Sequence, residues 1–392
     1  MKTIALAVGL AAAAAFAEEP DAGVPSFSLA PGKGVTVQSA DGAYSANLKG
    51  RLQLRDTVVL GTNPSNELAI RTVRFTLSGT VFSKDLKYYF LVALGPADFE
   101  AGNPSPIFDA YVESTHLRDL NVRLGQFFVP FDRARTIREF ALQFVDRQQV
   151  VGELNLDRDI GLMISSQDLF GLGGRLNYAV GFFGGSGKNR FAAEVPGFLY
   201  TARVGLKPFG PFDDDVEGDL ERKANPRLAL GAAFALNHNA TRARSNTGAT
   251  YTLGPFQQLH GAADLVFKWH GVSLLAEFLV RGPTEQFHEV DSGTAVTREW
   301  ARAAVGYTVQ VGVMLGSKWV ELAARWNDLY PLSPTDPALE TQTRQFGREV
   351  SAAVNVYLNG HALKVQTDWN MRFGDGSQHF HNQLRLVVDG TF

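Results

Sequence analysis

From about residue 44 onward the chain alternates apolar and polar residues with a period of two, run after run. In the first run Tyr44, Ala46, Leu48, Gly50, Leu52 and Leu54 share one face, and Ser45, Asn47, Lys49, Arg51, Gln53 and Arg55 share the other. Val73, Phe75, Leu77, Gly79 and Val81 alternate likewise with Arg74, Thr76, Ser78 and Thr80. Near the end Leu363, Val365, Thr367, Trp369, Met371 and Phe373 alternate with Lys364, Gln366, Asp368, Asn370 and Arg372. Successive side chains of a strand point to opposite faces, so these runs predict strands with one apolar face. Many approach or exceed the roughly 9–11 residues that a tilted strand needs to cross a bilayer.

About 16 strands are predicted, starting near residues 44, 68, 86, 107, 120, 159, 172, 198, 227, 259, 271, 301, 319, 349, 361 and 380. Their connections alternate in length. Those after even strands are mostly tight, such as Ser83-Lys84-Asp85, Trp269-His270-Gly271 and Asn359-Gly360. Those after odd strands are mostly long, such as 95–106, 129–157, 239–256 and 328–345. The exception is 208–226, a long acidic connection with Asp213-Asp214-Asp215 where a turn is expected. The fold class is therefore all-β: a transmembrane antiparallel β-barrel of about 16 strands with short periplasmic turns and long extracellular loops. A soluble β-sandwich has no reason to segregate its loops in this way.

Composition agrees with that picture. Of 392 residues, 45% are apolar and 20% charged, values that also suit a soluble protein but exclude a helical membrane bundle. The 28 Phe and 39 Gly beside only 4 Met suit sheets and turns. With no cysteine there is no disulfide framework and no thiolate metal site. The formal charge of −3 argues against a nucleic-acid partner.

The domain organisation follows. Lys2, the apolar run from Ile4 to Phe16 and the Ala15-Phe16-Ala17 pattern before Glu18 read as a cleaved signal peptide at 1–17. Residues 18–43 read as a leader or linker and 44–392 as the barrel. The last strand ends on Phe392, with every second residue before it apolar or Gly. Such an ending resembles the signal read by the barrel-assembly machinery. Trp269, Trp319, Trp326 and Trp369 fall at or near predicted strand ends, where aromatic girdles meet the membrane interfaces.

Phasing each strand by its apolar face assigns the polar face to the lumen. That face carries about 17 basic against about 9 acidic residues in a net-negative chain. Arg51, Arg55, Arg74, Arg123, Arg175, Arg302 and Lys364 are among them. Arrays of Arg and Lys favour anions in a pore, and the guanidinium fork matches phosphate or carboxylate. The alternative is that these charges pair with one another and merely solvate the wall. The longest loop, 129–157, opens with Arg133 and Arg135 and continues with Arg138 and Arg147. Folded into the lumen, it would set the pore width; folded out, it would lie on the rim. No catalytic motif is present: neither a G-x-S-x-G, an H-E-x-x-H nor a P-loop. No histidine spacing suggests a metal, His379-Phe380-His381 reading as a solvated turn, and no cofactor is implied.

Several stretches resemble the phosphate-selective porin O and P family. Ile70-Arg71-Thr72-Val73-Arg74 is similar to its early Arg-rich strand, although adjacent arginines are frequent there. Val122-Arg123-Leu124-Gly125-Gln126-Phe127 with Val129-Pro130-Phe131 is similar to the strand that leads into its constriction loop. Arg158-Asp159-Ile160-Gly161 and the Gly181 to Gly187 run resemble its central signature. The resemblance implies a 16-stranded homotrimer in outer-membrane lipid, with a positively lined channel for phosphate or other small anions. Arg71 joins the expected pore-lining set on that basis. The expected function is passive anion diffusion. A weakly selective general porin and a structural barrel with a blocked lumen are the alternatives.

Overall fold

The structure, a computed structural model, describes residues 24–61, 63–100, 105–190, 197–316, 319–375 and 380–392. The expected signal peptide and the first residues of the leader lie outside them, as does His379.

Eighteen strands share one sheet, of which two form an N-terminal hairpin and sixteen the barrel. The barrel strands are β1 (Ser45–Leu60), β2 (Ser65–Val81), β3 (Ser83–Ala93), β4 (Ile107–Ser114), β5 (Asn121–Phe128) and β6 (Arg158–Ser166). Then come β7 (Leu176–Phe183), β8 (Phe198–Leu206), β9 (Arg227–Ala240), β10 (Phe256–Trp269) and β11 (Val272–Pro283). The last five are β12 (Ala304–Leu315), β13 (Val320–Pro331), β14 (Arg348–Tyr357), β15 (Leu363–Phe373) and β16 (His381–Thr391). Each pairs antiparallel with its neighbour, and β16 closes on β1 from Asn382↔Leu60 to Thr391↔Arg51. Closure leaves no unpaired edge, which a lipid environment would not tolerate. No helix among the described residues is long and apolar enough to cross a membrane.

The expected strands are all present. The largest offset is β7, which starts at Leu176 rather than near 172. The reason is local: Gly171, Gly173 and Gly174 all adopt positive φ and spin the chain through a turn there. The supposed linker contains more structure than expected. Ser26–Ala30 and Gly34–Gln38 form a hairpin whose second arm pairs with the start of β1, Val35 opposite Leu48. These arms are too short to cross a bilayer.

The barrel is inside-out relative to a soluble protein. Along β12, Tyr307, Val309, Val311 and Val313 are 37–41% exposed, whereas Thr308 and Gln310 between them are at most 1% exposed. Along β16, Leu384, Leu386 and Val388 face outward, while Arg385 and Asp389 are buried. Water would penalise such an apolar outer wall, and hydrocarbon removes the penalty.

The lumen face is mainly polar, and its apolar side chains gather where a loop lies on it and in a smaller cluster at Leu91, Ala93 and Phe108. Phe131, Ala134, Val150, Val151, Leu154 and Leu156 of the 129–157 loop pack against wall residues that include Ala235, Ala262, Leu279, Ala304 and Leu329. Small wall residues make room for the loop. Each fully buried Phe, Val or Leu side chain contributes about 1.5–3 kcal/mol of apolar burial to holding it there.

Candidate functional site

The 129–157 loop folds into the lumen rather than onto the rim. Asp132 starts the turn by capping a short helix, α1 (Arg133–Thr136), its carboxylate accepting from the Arg135 N–H at 3.0 Å. Arg133 then meets Asp264 of β10 at 2.5 Å, and its backbone N–H donates to Glu277 of β11 at 2.7 Å. Further along, the Gln143 side chain donates to Ser273 at 2.9 Å, and Asn355 donates to the Gln143 carbonyl at 3.0 Å. Asp368 accepts the Val145 N–H at 3.0 Å, and the Lys364 ammonium donates to the Leu142 carbonyl at 2.8 Å. The loop is thus fastened across β10 to β15.

A second insertion supports it from the opposite end. The acidic connection 207–226 rises into the lumen instead of forming a turn. Glu217 accepts from the Gln143 N–H at 2.6 Å and from Gln310 at 2.7 Å. Asp214 pairs with Arg133 at 2.6 Å and with Lys207 at 2.5 Å. Burial pushes the Glu217 carboxyl up, against the hydrogen bonds from Gln143 and Gln310.

Beside the two insertions lies a cavity of about 840 Å³ along β1 to β6. Its lining runs from Lys49 and Ser78, towards the short-turn ends of β1 and β2, to Gly248 and Ala249 in the long 241–255 loop. Basic side chains dominate. Lys49, Arg51, Arg71, Arg74, Arg135, Arg138, Arg147, Arg158, Lys188, Arg242 and Arg244 make eleven, against Asp98, Glu100, Glu139 and Asp157, a surplus of seven. Just behind, Asp389 pairs with Arg51 at 2.5 Å, and Asp109 pairs with Arg138 at 2.8 Å and Arg158 at 2.7 Å. Counting these two carboxylates still leaves a surplus of five. Lys49, Arg71 and Arg244 form no ion pair among the described residues.

Aromatic rings hold the guanidiniums in place. Arg158 lies 3.7 Å from the Phe128 ring centre, with Arg138 and Arg135 at 5.4 and 5.5 Å from the same ring. Arg74 and Arg158 lie 5.1 and 4.8 Å from Phe108. A guanidinium over a ring keeps its N–H edges available to acceptors. In the loop, burial opposes ionisation of Glu139, but Arg74, Arg51 and Arg147 overcome it and hold its carboxyl well below the usual range. Burial, reinforced by Arg135, pulls the Arg147 guanidinium down to about 10.

The structure brings Arg51, Arg71, Arg74, Arg135 and Arg138 together around the cavity. The other expected anion-binding residues are placed differently. Arg55 pairs with Asp146 at 2.8 Å. Arg123 pairs with Glu113 at 2.9 Å and lies 4.4 Å from the Tyr111 ring. Arg133, Arg302 and Lys364 fasten inward segments to the wall, Arg302 by pairing with Glu153 and Asp336. Arg175 sits exposed in the 167–175 turn, bonded to the Pro208 carbonyl. None of these last four lines the cavity, so an anion-binding role there does not fit them. Conversely Arg242 and Arg244 were not expected. They enter from a loop whose only hint is the Thr241-Arg242-Ala243-Arg244 cluster. No group of metal-ligating side chains occurs among the described residues.

No family model and no curated protein matches this chain, so these comparisons do not confirm the finer resemblance to phosphate-selective porins. Solved structures do match. The outer-membrane channel DcaP of Acinetobacter baumannii aligns with TM-score 0.56 at 14% identity, covering 91% of this chain and 99% of that one. Salmonella typhi OmpF, solved in complex with daunomycin, gives TM-score 0.57 at 12% identity over 90% and 98%. An anion-selective porin from Comamonas acidovorans gives 0.57 at 11% identity over 89% and 100%. At such identities the likeness is one of architecture: the chain has the sixteen-stranded barrel fold of bacterial outer-membrane porins.

Proposed function

We propose that this protein is an outer-membrane porin for passive diffusion of small anions, phosphate or polyphosphate among them. The observation that carries the reading is the cavity with eleven basic and four acidic lining residues beside an inward loop. Two opposite unit charges about 4 Å apart interact by about 4 kcal/mol at an effective dielectric near 20, against about 1 kcal/mol in water. A narrow, partly desolvated passage therefore enriches anions, within a screening length of about 8 Å at physiological salt.

The location follows from the apolar outer wall and from the N-terminal segment read as a cleaved signal peptide. Assembly by the barrel-insertion machinery fits the terminal Phe392. A homotrimer is what the resemblance to phosphate-selective porins implies. The test is the zero-current potential of the purified protein in a planar bilayer under a KCl gradient. A potential of the sign set by chloride supports the reading. A potential near zero favours a general porin, and absent conductance favours a blocked barrel.

A further inference from the structure

Arg51 of β1 and Arg74 of β2 are register partners, directly opposite on neighbouring strands. Like charges so placed repel, and the pair needs an anion between them. Glu139 supplies it from the inward loop. One oxygen, Oε2, lies 2.8 Å from Arg74 Nη1 and 3.3 Å from Arg51 Nη1. The other, Oε1, accepts from Arg74 Nη2 at 3.2 Å and lies 3.7 Å from Arg147 Nη1. Three guanidiniums thus converge on one carboxylate that is only partly buried and lines the cavity. Arg51 and Arg74 are fixed from behind by Asp389 and Asp98, at 2.5 and 2.6 Å, so they do not depend on Glu139 for position. Arg71 lines the same cavity and forms no ion pair among the described residues. It is the extra residue of a β-bulge, lying between the Gln53↔Thr72 and Leu54↔Ile70 pairs.

We propose that Glu139 is a specificity-determining residue: a tethered carboxylate that occupies an oxyanion-binding position built by Arg51, Arg74 and Arg147. The inference rests on the anion-pore reading and adds to it a built-in competitor. A carboxylate and a phosphoryl group present the same bidentate edge to a guanidinium. A passing oxyanion must share or displace that edge, so a multivalent oxyanion such as phosphate dianion or diphosphate competes better than a monovalent one. Glu139 thereby weakens retention of every oxyanion and keeps the passage from being blocked by its own cargo.

The test is block of the chloride current by inorganic phosphate in planar bilayers at about pH 8. Glu139→Gln removes the competing charge, and the half-blocking phosphate concentration should fall roughly tenfold, as a change of about 1.4 kcal/mol implies. Adding Arg74→Gln to that variant should abolish the gain. Glu139→Asp, which withdraws the charge by one methylene, should fall between, and it carries the test if Glu139→Gln fails to assemble. The proposal is overturned if these variants show the wild-type half-blocking concentration, if phosphate blocks neither, or if the gain survives Arg74→Gln. A wild-type zero-current potential of the anionic sign, together with unchanged block, would fail this inference alone. A cationic sign would fail the pore reading itself.

Discussion

Arg133 and Asp264 meet at 2.5 Å where the inward loop touches β10, and the same guanidinium reaches Asp214 of the opposite insertion at 2.6 Å. One side chain thus joins the wall, the 129–157 loop and the 207–226 connection. Without Arg133, Asp264 still has Arg203 and Asp214 still has Lys207, each at 2.5 Å, so what is lost is the link between the two insertions and the wall rather than all compensation of a buried charge. Arg133→Gln should loosen both insertions. Single-channel recordings should show a larger and noisier conductance than wild type, and an unchanged, quiet conductance would count against the fastening role.

The root of the loop is also sensitive to pH. Burial pushes the Asp132 carboxyl up from 3.8 to about 7, against the pull of Arg135, Arg147 and Arg203, with Glu277 facing it from β11. A raised acid favours the protonated fold. Its stabilisation is fully present below about pH 4 and is lost as pH rises through about 7. Asp132→Asn keeps the helix cap and cannot ionise. Wild type should unfold more easily, in heat-modifiability gels, at pH 8 than at pH 5, relative to Asp132→Asn. Parallel pH profiles would refute this.

At the barrel seam, Phe392 and Gly50 exchange backbone hydrogen bonds of 2.9 and 2.8 Å. A Cβ on Gly50 would stand 2.4 Å from the Phe392 ring, so this glycine makes the ring's seat. Deleting Phe392 should reduce the assembled protein in the outer membrane while export continues, and Gly50→Val should do so more mildly. Normal membrane levels of the deletion variant would contradict the assembly signal.

Topology is open to labelling. A tag between Ser292 and Gly293, at the exposed tip of the hairpin formed by Phe287–Asp291 and Val296–Trp300, should be reached from outside intact cells. Labelling only after rupture would invert the orientation. The neighbouring long loop is a poorer site, because Ser245 is buried against Asn237 and His260.

The barrel was legible because a strand's period of two is a local property: Leu384, Leu386 and Val388 announce their lipid face without reference to anything distant. The basic cavity was legible only as a face. Arg133 and Arg135 stand two residues apart, yet one is locked to Asp264 and Asp214 while the other lines the cavity and pairs with Asp157. The partners of Arg133 come from segments far along the chain and that of Arg135 from the other end of the same loop, and no periodicity encodes that choice. Asp213-Asp214-Asp215 stood out only as an acidic exception to the short turns: Lys207 lies close in sequence, but Arg133, the cation that ties Asp214 into the lumen, comes from the inward loop.

The central claim is that this cavity is the ion path. Arg71 tests it most directly, because it lines the cavity without an ion pair among the described residues, and reversing its charge breaks no salt bridge. The measurement is the zero-current potential in a KCl gradient at low salt, wild type against Arg71→Glu. Wild type should give an anionic potential that moves towards the cationic side in the variant, with the difference shrinking at high salt. Identical potentials at low salt would show that ions do not pass these residues.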